Sequence, residues 1–175
     1  MYHVSLGNTY TTELNIQNAP FQSSSRWNNT TPSSTVVTLG NGNNVNNNNT
    51  NYIMYAFTSK TGYSKFGSYL GNGNANGSFV YTGFKPAFIL QKRVVTAANS
   101  NILDNKRAGY NVDNNRLFPN ATDVENTLDI VDIVSNGFKW RNTGSNYNND
   151  DENNIYMAFA AAPLVGTNNI PATAR

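Results

Sequence analysis

The chain has no cysteine and one histidine, His3, in 175 residues. Without thiols there is no disulfide and no thiolate metal site, and the redox compartment stays open. A Ser-His-Asp arrangement would rest entirely on His3, and a transition-metal site would be nearly all carboxylate, which such metals do not favour. Charge is scarce too. Only 13% of residues are charged and the formal net charge is +2, against the ~25% charged residues of an ordinary globular chain. No basic run is present to meet phosphates, so no nucleic-acid partner is expected. No apolar run reaches the ~18 residues of a membrane span, so no membrane partner is expected either. No charged segment followed by an apolar core marks a secretory signal.

What remains is polar and aromatic. Asparagine makes up roughly a fifth of the chain, and aromatics 12%. A bias toward asparagine codons would enrich lysine as well, yet there are six lysines. Disordered chains lack aromatics; this chain has enough of them to build a core. Few charges, many Tyr and Phe, and Asn-Gly punctuation describe an all-β protein with many turns.

Strand-like runs recur between turn signals. They are Tyr2–Leu6, the alternating Leu14 and Ile16, Thr35–Leu39, Tyr52–Phe57, Lys65–Leu70, Phe79–Phe84, Ala87–Val95, Leu128–Val134, Phe138–Arg141 and Ile155–Ala162. In Ala87–Val95, Phe88, Leu90 and Lys92 share one face; Ile89, Gln91 and Arg93 share the other. Ser135-Asn136-Gly137 is a hairpin signal joining two of these runs. Thr122 and Glu125 have capping-box spacing and predict one short helical turn. The fold expected is an antiparallel β-sandwich, jelly-roll-like.

Part of the chain occurs twice. Residues 51–57 read Asn-Tyr-Ile-Met-Tyr-Ala-Phe and residues 153–159 read Asn-Asn-Ile-Tyr-Met-Ala-Phe, an offset of 102. At the same offset Gly42, Asn44, Asn46 and Asn47 fall on Gly144, Asn146, Asn148 and Asn149, Ser33 on Ser135, and Gly7 on Gly109. A repeat of this length implies a repeated structural unit. Residues 1–57 then form a partial unit. Residues 58–160 form a complete unit packed with it as one body, and residues 161–175 a C-terminal tail. The asparagine-rich stretch 41–51 has a counterpart of equal length in 143–153, which predicts two ordered loops. The partial unit lacks the strands that precede it in a full one, and open strand edges must be covered. Either residues 58–102 serve both flanks in a pseudo-symmetric sandwich, or a second subunit covers the edge. The duplicated strand is expected to occupy equivalent places in both copies.

Chemistry is sparse. Asp129 and Asp132 lie three apart in a strand and point to opposite faces. Asp150, Asp151 and Glu152 form a weak calcium candidate in a polar loop, with Asn148 and Asn149 as amide ligands; otherwise the run is solvated. No acid–base constellation suggests an enzyme, and no cofactor is expected. Gly40–Gly42 and Gly71–Gly73 are turns rather than phosphate loops, since no helix or Lys-Ser/Thr follows. Trp27, Trp140 and the tyrosines could stack on sugars, but Tyr52, Tyr55, Phe57, Tyr156 and Phe159 lie in repeated strands and are expected to pack.

Several long strings resemble a known family. They are Gly62-Tyr-Ser-Lys-Phe-Gly-Ser-Tyr-Leu-Gly-Asn-Gly73, Phe79-Val-Tyr-Thr-Gly-Phe-Lys-Pro-Ala-Phe88 with Gln91-Lys-Arg93, Ser135-Asn-Gly-Phe-Lys139 and Ile155-Tyr-Met-Ala-Phe-Ala160. Tyr2, His3 and Trp27–Thr30 resemble the matching half of the same unit. The family is one of unknown function, found in large virion proteins of tailed phages of marine bacteria, often beside a laminin-G-like lectin domain. The resemblance extends to about residue 160. It implies a non-enzymatic virion structural protein at the virion surface, a fibre, tail or head-decoration subunit. Its partners would be copies of itself and other virion proteins. A lectin-like module recognising host glycans is the alternative. This chain is short and lacks the lectin partner.

Overall fold

Ten strands and two single-turn helices are found in the computed structural model among the described residues, 1–107, 111 and 113–162. The first fifty residues hold little regular structure: β1 (Tyr10–Thr11) pairs with β2 (Phe21–Gln22), followed by α1 (Ser24–Trp27) and α2 (Asn43–Asn46). Eight strands follow: β3 (Ser64–Leu70), β4 (Phe79–Tyr81), β5 (Pro86–Arg93), β6 (Ser100–Asp104), β7 (Asp113–Arg116), β8 (Asn126–Val134), β9 (Gly137–Trp140) and β10 (Asn153–Ala160).

These eight strands form two antiparallel sheets, ordered β3-β10-β5-β6 and β4-β9-β8-β7. The protein is an all-β sandwich, as its composition predicts. First and last strands pair, and the second pairs with the last but one, as in a jelly roll. The other four strands form the local hairpins β5–β6 and β7–β8 instead. One flank is closed where Ile102 of β6 and Leu117, the residue just after β7, exchange backbone hydrogen bonds between the two sheets. The opposite flank ends on β3 and β4.

The core lies between the sheets. Ile89, Leu103, Tyr156 and Ala158 come from the first; Val80, Ile130, Ile133, Phe138 and Trp140 come from the second. Trp140 stacks on Tyr147 with centroids 4.7 Å apart. At one end the core is polar. Gln91 donates to Asn154 Oδ1 (2.7 Å) and accepts from Asn101 Nδ2 (2.6 Å), while Arg116 donates to Asn101 Oδ1 (3.3 Å). Each buried amide thereby finds partners, which is what makes its burial tolerable.

Residues 1–17 cover the other face of the first sheet, where Leu90, Lys92 and Ile155 are buried. Two polar contacts rivet them there. Ser5 N–H points at His3 Nδ1 (3.2 Å), so the neutral ring donates from Nε2 to the Tyr156 carbonyl (3.1 Å). Lys92 reaches through the layer to the carbonyls of Ile16 (3.3 Å) and Ala98 (3.4 Å). Burial lowers both pKa values, although the bond to Tyr156 partly raises that of His3. The single histidine is therefore a structural clip.

Several expectations fail, each for a local reason. Tyr2–Leu6, Leu14–Ile16 and Thr35–Leu39 form no strands; the first two lie in the layer that covers a sheet, and Thr35–Leu39 is largely exposed. β6 and β7 are absent from the strand reading because their polar residues hide the alternation, Asn101 being buried through its bond to Gln91. The Thr122–Glu125 stretch is not helical. Its Glu125 carboxylate instead accepts from Arg107 (2.8 Å) and Asn115 (2.9 Å), which turn it toward tertiary partners rather than back to its own backbone. The single helical turns fall at α1 and α2. Gly109 and the tail from residue 163 lie outside the described residues.

Candidate functional site

The duplication is structural as well as sequential, up to a sharp limit. Asn46 N–H donates to the Gly42 carbonyl (2.9 Å), and Asn148 N–H to that of Gly144 (2.8 Å). Asn46 Nδ2 donates to the Gly40 carbonyl (3.1 Å), and Asn148 Nδ2 to that of Asn142 (3.0 Å). Thr50 N–H meets the Asn47 carbonyl and Glu152 N–H that of Asn149, both at 3.3 Å. Asn49 and Asp151 both adopt the left-handed conformation, with φ of 56° and 52°. The two loops are one structure built twice and, as predicted, ordered.

Beyond the loops the copies part. Asn153–Ala160 becomes β10, the strand paired on both sides, with Ile155, Tyr156 and Ala158 buried. Asn51–Phe57 joins no sheet. Ile53 is 83% exposed, Met54 61%, Tyr55 79% and Phe57 60%. The expectation of equivalent places is thus corrected: these side chains do not pack as Tyr156 and Phe159 do. The physical reason lies in the repeat phase. β10 has β3 and β5 beside it, and among the described residues no strand pairs with Asn51–Phe57.

Three consecutive exposed apolar residues place apolar side chains on both faces of an extended segment. Such a run is characteristic of a strand buried on both faces. It is held at both ends. Upstream, Gly40 and Gly42 N–H groups donate to the carbonyls of Arg26 and Ser25 (2.9 and 2.8 Å). Downstream, Phe57 lies against Phe66 and Phe159, with centroids 6.3 and 5.7 Å away.

The segment leads directly to the open edge of the first sheet. Lys60 and Ser64 exchange backbone hydrogen bonds of 2.9 Å at the turn into β3, and the Ser64 hydroxyl donates to the Thr58 carbonyl (2.7 Å). Phe66 N–H is met by the Ser59 side chain (3.1 Å) rather than by backbone, and the Leu70 carbonyl by the Ser78 hydroxyl (2.6 Å). The ladder alternation turns the Ser68 backbone groups to the same side, where none of the described residues meets them. Gly67 allows Tyr156 to lie across β3, since a β-carbon would stand 2.9 Å from its hydroxyl oxygen.

The predicted calcium ligands do not converge. Arg93 grips both oxygens of Glu152 and holds its carboxyl below the ordinary carboxylate pKa. Asn148 is buried, its amide nitrogen shared among Asn72, Asn74 and Asn142. Among the described residues no three His, Cys, Asp or Glu side chains form a metal-sized cluster. Trp140 is core, and Asp132 pairs with Arg141 (3.3 Å).

Trp27 has a different setting. It lines a cleft of about 380 Å³ with Glu13, Asn15, Arg26, Asn44 and Val45. Arg26 donates to Glu13 (3.1 Å), and Asn44, with its amide oriented to suit, accepts from both terminal nitrogens at 2.9 Å. The Trp27 indole N–H is buried without an acceptor.

No curated protein and no solved structure matches the chain. One family model matches residues 1–163, described as a domain of unknown function, DUF7483, and the chain belongs to that family.

Proposed function

We propose that this protein is a non-enzymatic structural protein of a phage virion, carried at the virion surface as a fibre, tail or head-decoration subunit, and that it works by self-association. The observation that carries the reading is the run Ile53–Tyr55, apolar on both faces and exposed. Contiguous exposed apolar surface of this kind marks an interaction site. The low charge suits it, because side-chain amides hydrogen-bond across subunits without the desolvation cost of ions. The virion assignment rests on the motif resemblance. Sedimentation velocity over a wide concentration range tests the mechanism: a rising sedimentation coefficient is expected, and a monomer at every concentration would overturn it. Immuno-electron microscopy of particles tests the location, with label on the virion surface as the expected result.

A second reading is favoured by the cleft at Trp27. An indole beside amides and a carboxylate, with an unmatched N–H, is chemistry suited to a sugar ring. In this reading the protein recognises host glycans. Binding on a glycan array, abolished by Trp27→Ala, would support it; no hits would remove it.

A further inference from the structure

We propose that Asn51–Phe57 is a donated strand, which adds to the open edge of β3 in a second copy of this chain. The proposal rests on the self-association reading and names its surface.

The chain supplies both halves of the joint. The donor has the residue pattern of β10, which elsewhere in the same molecule is a fully paired strand. The acceptor is the edge of β3 beyond its Lys60–Ser64 bridge, where among the described residues only the Ser59 and Ser78 side chains meet the backbone, while β6 at the other edge is tied to the second sheet through Ile102 and Leu117. Main-chain pairing at an exposed edge is a general mode of recognition, with alternate side chains giving selectivity.

Closure within one chain is blocked by the anchors. The loop before Asn51–Phe57 is tied to Arg26 and Ser25 through Gly40 and Gly42, and the Tyr52 hydroxyl accepts from Asn47 N–H of that loop (3.0 Å). At its downstream end Phe57 crosses onto the outer face of the sheet instead of following its edge. The segment therefore touches its own β3 through the Phe57 ring, and among the described residues Asn51–Phe57 makes no backbone hydrogen bond to that strand.

Replacement of β10 in a neighbour is disfavoured by two side chains. At the offset of 102, Tyr52 falls on Asn154 and Met54 on Tyr156. Asn154 accepts from buried Gln91 (2.7 Å), and Tyr156 fills the core over Gly67. A tyrosine ring in place of the Asn154 amide would leave Gln91 without that acceptor. Edge addition makes no such demand. Each copy offers one donor and one acceptor, so two copies can exchange strands about a two-fold axis, or many can run head to tail.

The absence of native cysteine makes the test direct. Phe57 lies on the outer face of the first sheet, and Tyr55, two residues earlier in an extended chain, shares that side, as do Phe66, Ser68 and Leu70 on β3. Tyr55→Cys protein is mixed with Phe66→Cys, Ser68→Cys or Leu70→Cys protein carrying a distinguishable tag, then oxidised. The expected result is a disulfide between unlike copies in at least one mixture. Three results would overturn the proposal: only Tyr55–Tyr55 linked dimers, meaning the segments pair with each other; a monomeric disulfide in the doubly substituted Tyr55→Cys/Ser68→Cys chain, meaning the segment closes on its own edge; or no cross-link from a protein that still assembles. A second variant needs no oxidation. Ile53→Lys/Tyr55→Lys alters only exposed side chains, so the thermal midpoint of the dilute protein is expected to hold while self-association weakens about tenfold or more. Undiminished assembly of this variant defeats strand donation and leaves self-association standing. A wild-type monomer at all concentrations defeats both.

Discussion

Gly42–Thr50 and Gly144–Glu152 share a set of equivalent hydrogen bonds and a left-handed residue at the same position, yet the segments they launch meet opposite fates. One becomes the most fully paired strand of the sandwich; the other stands in solvent. The loops are alike because their conformation is encoded locally, in glycine and asparagine. The strands differ because a strand is completed by its neighbours. β10 finds β3 and β5, and Asn51–Phe57 finds none among the described residues. Local sequence fixes a loop; only tertiary context fixes a strand.

Substitution at equivalent positions should separate the copies most strongly in the strands. Tyr156→Ala empties a core site and is expected to cost about 3–5 kcal/mol, whereas Met54→Ala at the matching position should stay within about 0.5 kcal/mol. Urea denaturation of dilute protein measures both. Equal costs would show that the first copy is already packed in the monomer.

The loops should differ less. Asn148→Ala removes the donor to three partners and the acceptor of Asn72 N–H (3.2 Å) in a buried site. The expected loss is about 2–3 kcal/mol, against about 1 kcal/mol for Asn46→Ala, which has one such bond. The same two denaturation curves would sharpen the claim that one loop is used twice in different depth.

A smaller effect separates the two halves by pH. Burial lowers the His3 pKa below its ordinary 6.5. The unfolded chain then binds more protons than the folded one between the two values. The stability contributed by His3 is full above the unfolded value and is lost as pH falls through the folded one. The two tryptophans report on separate regions, Trp27 on the N-terminal layer and Trp140 on the core. In Trp140→Phe protein, Trp27 fluorescence is expected to change on mild acidification, and His3→Gln should flatten that response. In Trp27→Phe protein, Trp140 should remain steady over the same range.

Much of the sandwich was legible in the sequence. Ser135-Asn136-Gly137 marked the β8–β9 hairpin, and alternation in Ala87–Val95 gave the two faces of β5 correctly. What was not legible lies where polar residues are buried. Asn101 and Arg116 are polar residues buried in the Gln91 network, which hid the alternation of β6 and β7. The capping-box motif at Thr122 misled because tertiary contacts with Arg107 and Asn115 claimed its glutamate. The repeat pointed to an uncovered edge in the partial unit, residues 1–57, but left open whether residues 58–102 serve both flanks or a second subunit covers it. That depends on which strands lie beside each copy. The Trp27 cleft left only the tryptophan itself as a signal, since Glu13, Arg26 and Asn44 come from separate turns.

The central claim is that Asn51–Phe57 is a strand completed by another copy. Amide hydrogen exchange of Ile53–Phe57 at low and high protein concentration tests it most directly. These amides should exchange freely in dilute protein, while those of Ile155–Phe159 stay protected throughout, and should become protected as the protein assembles. Free exchange in the assembled state, or protection already present in the dilute monomer, would contradict the account.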